Sequence, residues 1–448
     1  EYYFDEGFFF AVYKDSNKAS TFKIWFLLLM TIIKKYNSLY IIILLLLYMS
    51  TLVSYFQIHP KVIYVIVFAL YALIFLIYKN SIERTNKWIF FAIVALIPST
   101  IVGIYMEWSY IDISADIARY LAPFLGFSVG ILLLKRLKYH RIIYLLYGLL
   151  ALQVISYYYS VASKASHIFQ GAPIIEYAKH GLEAQSLYFL IAYFLLKNKL
   201  VFGVNKVLLI GYAIGYIVNP ILIMSKARLI AVLLLFVLIF IFHSKFKERV
   251  LLSAFALLIT GATLLYSGDG VFSRFQSTIE LVETDNYFAD ASTSVRVAEI
   301  INVTNMLYDK SPYSLFFGFG AGALYYDNYA KIKGGIHQGN FRADGGIHDI
   351  FTMPFAYIFR YGFLGFFLMY SFAIYYYRRI LYNQVDKRQD AIAASLKLFI
   401  IISIIADLFV PVHMYGNFQF GFFIAMGVVL QNKLNDQYNS LKNSVASS

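Results

Sequence analysis

Apolar runs about 16 to 23 residues long recur along this chain, separated by short polar turns, and each is long enough to cross the hydrocarbon core of a bilayer as a helix. That spacing constrains the fold more than any motif does. Backbone amides in lipid must be satisfied within the chain, so each run is predicted to be a helix. A membrane barrel would show alternating segments of about ten residues, and none are seen. The composition agrees: the 448 residues are 60% hydrophobic and only 14% charged. A soluble domain of this length would not be so apolar.

Twelve spans are predicted, at 37–57, 61–78, 88–105, 117–134, 142–160, 181–196, 201–222, 226–243, 249–267, 354–377, 391–411 and 416–431. The polar turns set their orientation. Turns 79–87, 135–141, 197–206, 243–249 and 375–390 are rich in Lys and Arg, whereas the turns alternating with them are not, and 106–116 is acidic. With both termini cytoplasmic, and residues at span ends counted with the adjoining loop, 24 of the 38 Lys and Arg fall inside and 12 outside. Arg119 and Lys397 remain within spans. This two-to-one excess follows the positive-inside rule.

The resulting organisation has five parts. Residues 1–29 are a non-core N-terminal extension, because TFKIWFLLLMTII is too short to span easily and counting it would invert every loop; an interfacial helix is the alternative. Residues 30–267 carry spans one to nine. Residues 268–349 form a long external loop. Residues 350–431 hold a re-entrant helix and the last three spans, and 432–448 a cytoplasmic tail. There is no cleavable signal peptide and no internal repeat of the kind that builds inverted transporter halves.

Zero cysteines exclude disulfides, thiolate nucleophiles and Cys-bound metals. The net charge of +13 is explained by the basic turns and contact with anionic lipid, without nucleic acid. No metal-ligand spacing is present: His337 and His348 stand eleven apart with no HExxH pattern.

Three stretches could carry chemistry on the external side. Lys226 and Arg228, in SKARL, sit at the outer end of a span, after Asn219 and Pro220. Arg228 either snorkels to lipid phosphates or faces a cavity. In SVRVAEIINVTNMLYDKSPYSLFFGFGAGAL, Arg296 lies near the first turn of an amphipathic helix that Ser292 or Ser294 could cap, with glycines following. An ordinary loop with a structural Arg is the competing account. In GGIHDIFTMPFAYIFRYGFLGFFLMY, His348 stands where the loop meets the membrane, Asp349 follows it, and Gly362 and Gly365 interrupt the apolar run. A lone interfacial His is commonly structural; beside two external arginines it becomes a candidate general base, since imidazole titrates near neutrality. Arg119, Glu183, Arg342 and Arg360, with Asp407 and His413, are further candidates for the same vestibule, or for interface anchors and buried ion pairs.

Three features in this order resemble the O-antigen ligase and polymerase superfamily of membrane glycosyltransferases. They are Ser225 to Arg228 at an outer helix end; Arg296 followed by a helix, Pro312 and Gly318, Gly320 and Gly322; and His348 followed by Gly362 and Gly365. The similarity is strongest over 215–380. Two departures stand out: Asp349 follows the His where many members have Asn, and aliphatic residues follow the loop Arg where a large aromatic is frequent.

The resemblance implies an all-α, GT-C-like polytopic fold in the bacterial inner membrane, with its active site facing the periplasm. It implies transfer of a glycan from undecaprenyl pyrophosphate to a sugar hydroxyl, without cofactor or metal. Arg228 and Arg296, supported by Lys226, would bind the pyrophosphate; His348 would accept the proton and Asp349 orient it. A surface-polysaccharide polymerase acting on a lipid-linked repeat unit is favoured, with a chain-length regulator protein as a partner. The alternatives are a ligase delivering the glycan to lipid A core, or a transporter or flippase. Polar residues gathered at one external face, away from the midplane, argue against the transporter.

Overall fold

In a computed structural model of the chain, the described residues are 87–162, 185–200, 204–222, 226–243, 291–310, 312–330, 346–348, 350, 352–380, 387–407 and 417–446. All lie within one compact unit, residues 49–448. The extension 1–29 lies outside them. Every regular element among the described residues is a helix, and the one β contact is an isolated bridge between Tyr325 and Ile347. In chain order the helices are α1 (Lys87–Tyr105), α2 (Tyr110–Leu134), α3 (Tyr139–Ala162), α4 (Gln185–Lys197), α5 (Val204–Leu222), α6 (Lys226–His243), α7 (Ala291–Lys310), α8 (Pro312–Phe317), α9 (Met353–Arg379), α10 (Lys387–Ala406) and α11 (Phe418–Ala446).

Three of these, α1, α2 and α9, are long and apolar enough to cross a membrane, and shorter apolar helical stretches run through 187–197, 206–217 and 232–242. The chain is therefore an all-α membrane protein. In α1 the buried residues Ile89, Ala92, Leu96, Ser99 and Gly103 share one face, and Phe90, Val94, Ile97, Ile101 and Ile104 lie exposed on the other. An exposed stripe of Ile and Phe this long suits a lipid-facing surface.

The central helix is α2, buried all round from Tyr120 to Leu134. It lies against α11 by way of small residues. A Cβ placed on Gly126 would stand 2.1 Å from the Phe418 carbonyl oxygen, and one on Gly421 only 1.7 Å from that of Pro123. Gly130 meets Ala425 in the same seam. Small residues four apart let helix backbones approach where lipid supplies no hydrophobic drive between helices. The helix begins at Tyr110, seven residues before the predicted span, because Asp112 and Asp116 are buried at 1% and 0% exposure. Hydropathy scores a carboxylate as solvated and cannot foresee that protein donors will receive it.

Tyrosine hydroxyls fix the relative register. Tyr361 donates to the Asp116 carbonyl at 2.8 Å, Tyr120 to the Gly365 carbonyl at 2.9 Å, and the rings of Phe127 and Tyr376 lie 4.5 Å apart. Helices α2 and α9 thus run in the same direction. Helix α1 runs against them: Ser99 reaches the Arg360 carbonyl at 2.8 Å, and Trp88 meets Phe372 at 5.5 Å. One end of this group therefore collects Lys87, Lys135, Arg136, Arg378 and Arg379, and Lys433 of α11 donates to the Lys135 carbonyl there at 3.0 Å. The other end carries Asp116, Arg360 and His348.

Helix α9 is broken. Gly362 has φ 66° and ψ −173°, a conformation that L side chains rarely adopt. The space is also closed, since a Cβ there would lie 2.0 Å from the Phe316 carbonyl oxygen. The rings of Tyr357 and Tyr370 approach to 6.0 Å, although a straight helix would separate their backbones by about 20 Å. The segment 353–361 is thus folded back towards the rest of α9. Gly365 does not break the helix; its carbonyl anchors Tyr120.

Replacing Gly421 with Leu is expected to cost at least about 3 kcal/mol, the upper end of overpacking effects, because backbone and not a pliant side chain blocks the site. Gly211→Ala, where the nearest atom is 3.9 Å away, is expected to be neutral or stabilising by up to about 1 kcal/mol. Thermal unfolding of the detergent-solubilised protein checks both.

Candidate functional site

A charged cluster is closed inside the bundle at the end opposite the basic turns. Its centre is Asp116 on the second turn of α2, with 0% exposure. Four donors converge on this carboxylate. The Gly322 N–H donates to Oδ2 at 2.8 Å, the Arg360 Nε lies 3.0 Å from the same oxygen, and the His348 Nε2 is 3.3 Å away. The Arg119 guanidinium stands 3.9 Å from Oδ1, three residues along the same helix. Arg360 is itself 1% exposed. A carboxylate removed from water to this extent is tolerable only when paired and hydrogen-bonded, and Asp116 is both.

The three partners other than Arg119 are delivered by distant segments of the chain. Arg360 comes from the folded-back first segment of α9, and its backbone carbonyl is held by Ser99 of α1. Its guanidinium also donates to the His348 carbonyl. His348, 5% exposed, is positioned from behind by the paired bridge of Ile347 and Tyr325, whose N–H to O distances are 2.9 and 3.0 Å. Gly322 belongs to the turn 318–322. Its neighbour Gly320 has φ 95° and lies backbone to backbone against Gly103, where a Cβ would be 2.4 Å from the Gly103 nitrogen. Gly318, Gly320 and Gly322 are thus pressed against α9, α1 and α2 respectively.

A second buried contact set steadies the start of α9. Glu299 of α7 accepts from the Thr352 N–H at 2.8 Å, and the Asp407 carbonyl at the end of α10 accepts from the Met353 N–H at 3.2 Å. Helix α7 presents Val295, Ala298, Glu299, Asn302 and Val303 inward, the i, i+3, i+4, i+7, i+8 pattern of an amphipathic helix. Asn302 holds residues 329 and 330 with its amide, donating to the Ala330 carbonyl at 2.8 Å and accepting from the Tyr329 and Ala330 N–H groups at 2.9 and 3.0 Å. Arg296, partly exposed, lies one turn before Glu299, which contacts the chain four residues after His348.

The sequence candidates are therefore distributed unevenly. His348, Arg360 and Arg119 meet at one carboxylate, and Arg296 is on the helix that braces the segment carrying His348. Lys226 and Arg228 occupy the first turn of α6, but their side chains lie outside the described residues, as do Asp349, Glu183, Arg342 and His413. Sequence reading passed over Asp116 and Tyr361. The available signal for Asp116 was its position, an acid directly before an apolar run; nothing in the chain marks Tyr361, one of 40 tyrosines.

The arrangement has definite chemical capacity. With Nε2 facing the carboxylate, the proton-bearing nitrogen of a neutral His348 is Nε2 and the basic lone pair is on Nδ1. Asp116 then orients the ring and would offset the positive charge of a protonated imidazole. Among the described residues no group of three or more His, Asp or Glu side chains could hold a metal ion. Searched against family models, curated proteins and solved structures, the chain matches none.

Asp116→Ala strands the buried Arg360 guanidinium, and is expected to lower stability by about 3–5 kcal/mol. Adding Arg360→Met should recover part of that loss, so the two changes are expected to be markedly non-additive in a thermal-unfolding double-mutant cycle. Additive losses would show that the pair is not coupled.

Proposed function

We propose that this chain is an integral-membrane glycosyltransferase that moves a glycan from undecaprenyl pyrophosphate to a sugar hydroxyl, and that it acts as a polymerase on lipid-linked repeat units. The observation carrying this reading is the Asp116–His348 pair, set opposite the basic end of the bundle. The motif order described above supports it, as does the presence of Arg296 on the helix bracing the His348 segment. Under this reading the fold is GT-C-like with twelve spans, lies in a bacterial inner membrane, and faces the periplasm with its site.

In the reaction, the bond from the glycosyl anomeric carbon to the phosphate oxygen breaks as the acceptor oxygen bonds to that carbon. The electron pair leaves with undecaprenyl pyrophosphate. His348 takes the hydroxyl proton, Asp116 offsets the imidazolium, and Asp349 would help to orient it. Arg228 and Arg296, with Lys226, meet the charge growing on the pyrophosphate through charge-assisted hydrogen bonds. Arg360 and Arg119 pair with Asp116 and hold it in place. No cofactor enters the scheme.

Purified protein given a lipid-linked repeat unit is expected to yield a ladder of longer lipid-linked glycans. Transfer confined to lipid A core would make it a ligase, and substrate crossing liposomes at unchanged length a flippase. His348→Ala is expected to abolish transfer in a folded protein. Arg228→Ala or Arg296→Ala should lose about 2–4 kcal/mol of transition-state stabilisation, roughly 30- to 1000-fold in rate. An unimpaired His348→Ala enzyme would refute the base.

A further inference from the structure

We infer that residues 312–325, within the stretch expected from sequence to be an external loop, form a re-entrant segment that dips into the outer hydrocarbon layer, with Phe316 and Phe317 packed against acyl chains. The inference stands without the reaction proposed above.

Depth is the first argument. Helix α1 has 19 residues, about 28 Å of rise, close to the thickness of a bilayer core. Its end at Tyr105 is opposite the basic turns. The Ala321 N–H donates at 3.0 Å to the carbonyl of Ser99, six residues or about 9 Å inside that end. On α2 the turn meets Asp116, the residue directly before the apolar run. Gly322 donates to Asp116, six residues or about 9 Å in from Tyr110. The turn thus lies well below the outer end of α1, whose last residues Ile101 and Ile104 are apolar and exposed.

The second argument is that protein receives most of the N–H groups between residues 318 and 325. Non-helical chain survives at membrane depth only where protein supplies its hydrogen bonds. The N–H groups of Gly318, Phe319, Ala321, Gly322 and Ala323 reach the Ser314 carbonyl, the Phe359 carbonyl, the Ser99 carbonyl, the Asp116 carboxylate and the Gly320 carbonyl, at 2.8, 2.6, 3.0, 2.8 and 3.2 Å. The Phe319 carbonyl accepts from the Trp108 indole at 3.1 Å. A surface loop has water for this purpose and needs no such provision.

The third argument is continuity. Phe316 and Phe317 on α8 are 60% and 41% exposed, and the Phe316 carbonyl abuts Gly362. Just beyond Gly362, Leu364 and Phe367 begin the exposed apolar stripe of α9, and Ile97, Ile101 and Ile104 form that of α1. The two phenylalanines extend a surface that is already lipid-facing. Asp309, paired with Tyr329, and exposed Asn328 mark where the chain returns to polar surroundings.

The absence of cysteine makes the test direct, because one substitution introduces the sole thiol. Phe316→Cys, Phe317→Cys and Asn328→Cys would each be spin-labelled in liposomes, with collisions to oxygen and to a water-soluble nickel chelate measured. At 316 and 317, oxygen access with loss of chelate access is expected, and the reverse at 328. Chelate access at 316 and 317 equal to that at 328 overturns the inference. So does exclusion of both reagents, which would mean a protein partner or second copy covers the face. Phe316→Trp and Phe317→Trp provide a milder second reading: brominated lipids should quench the added fluorescence, and unchanged emission counts against lipid contact.

Discussion

A single buried carboxylate ties the described structure together. Asp116 receives a backbone amide, an imidazole and two guanidinium groups from four stretches of chain that are up to 244 residues apart in sequence. Those stretches are α2 itself, the glycine turn, the His348 strand-like segment and the folded-back start of α9. A charge in so dry a place is costly unless every partner is present, so the cluster favours one arrangement of these elements over looser ones.

Around this centre the packing follows membrane rules. The seam between α2 and α11 is made by glycine and alanine, because in lipid the gain comes from close backbone approach. Farther along, aromatic contacts set the register, with Phe127, Phe372, Tyr376 and Trp88 meeting near the basic end. The break at Gly362 then lets one helix both span the bundle and return Arg360 to the carboxylate. Removing that break would carry Arg360 away from Asp116 and disconnect the site from the scaffold.

The same geometry gives a chemical character to the end of the bundle facing away from the basic turns. An imidazole stands against a buried carboxylate there, with two arginines close by, the arrangement on which the proposed proton transfer rests. That pair stands directly before the apolar run of α2, where the polar end of the bundle meets its apolar body. The glycine turn reaches the same carboxylate through the Gly322 N–H, and most of its N–H groups are received by protein.

From sequence alone, the all-helical membrane class was determined, because apolar run length and the obligation to satisfy backbone amides in lipid leave little alternative. Arg119, His348 and Arg360 were also legible, as polar residues at span ends where hydropathy makes them conspicuous. Tertiary structure alone decided that these three share Asp116, that α2 begins before its apolar run, and that the glycines face protein backbone. The physical reason is that each outcome depends on long-range partners. A carboxylate is buried or solvated, and a glycine pressed or free, according to chain that lies up to 200 residues or more away, and one-dimensional hydropathy does not record which donors arrive.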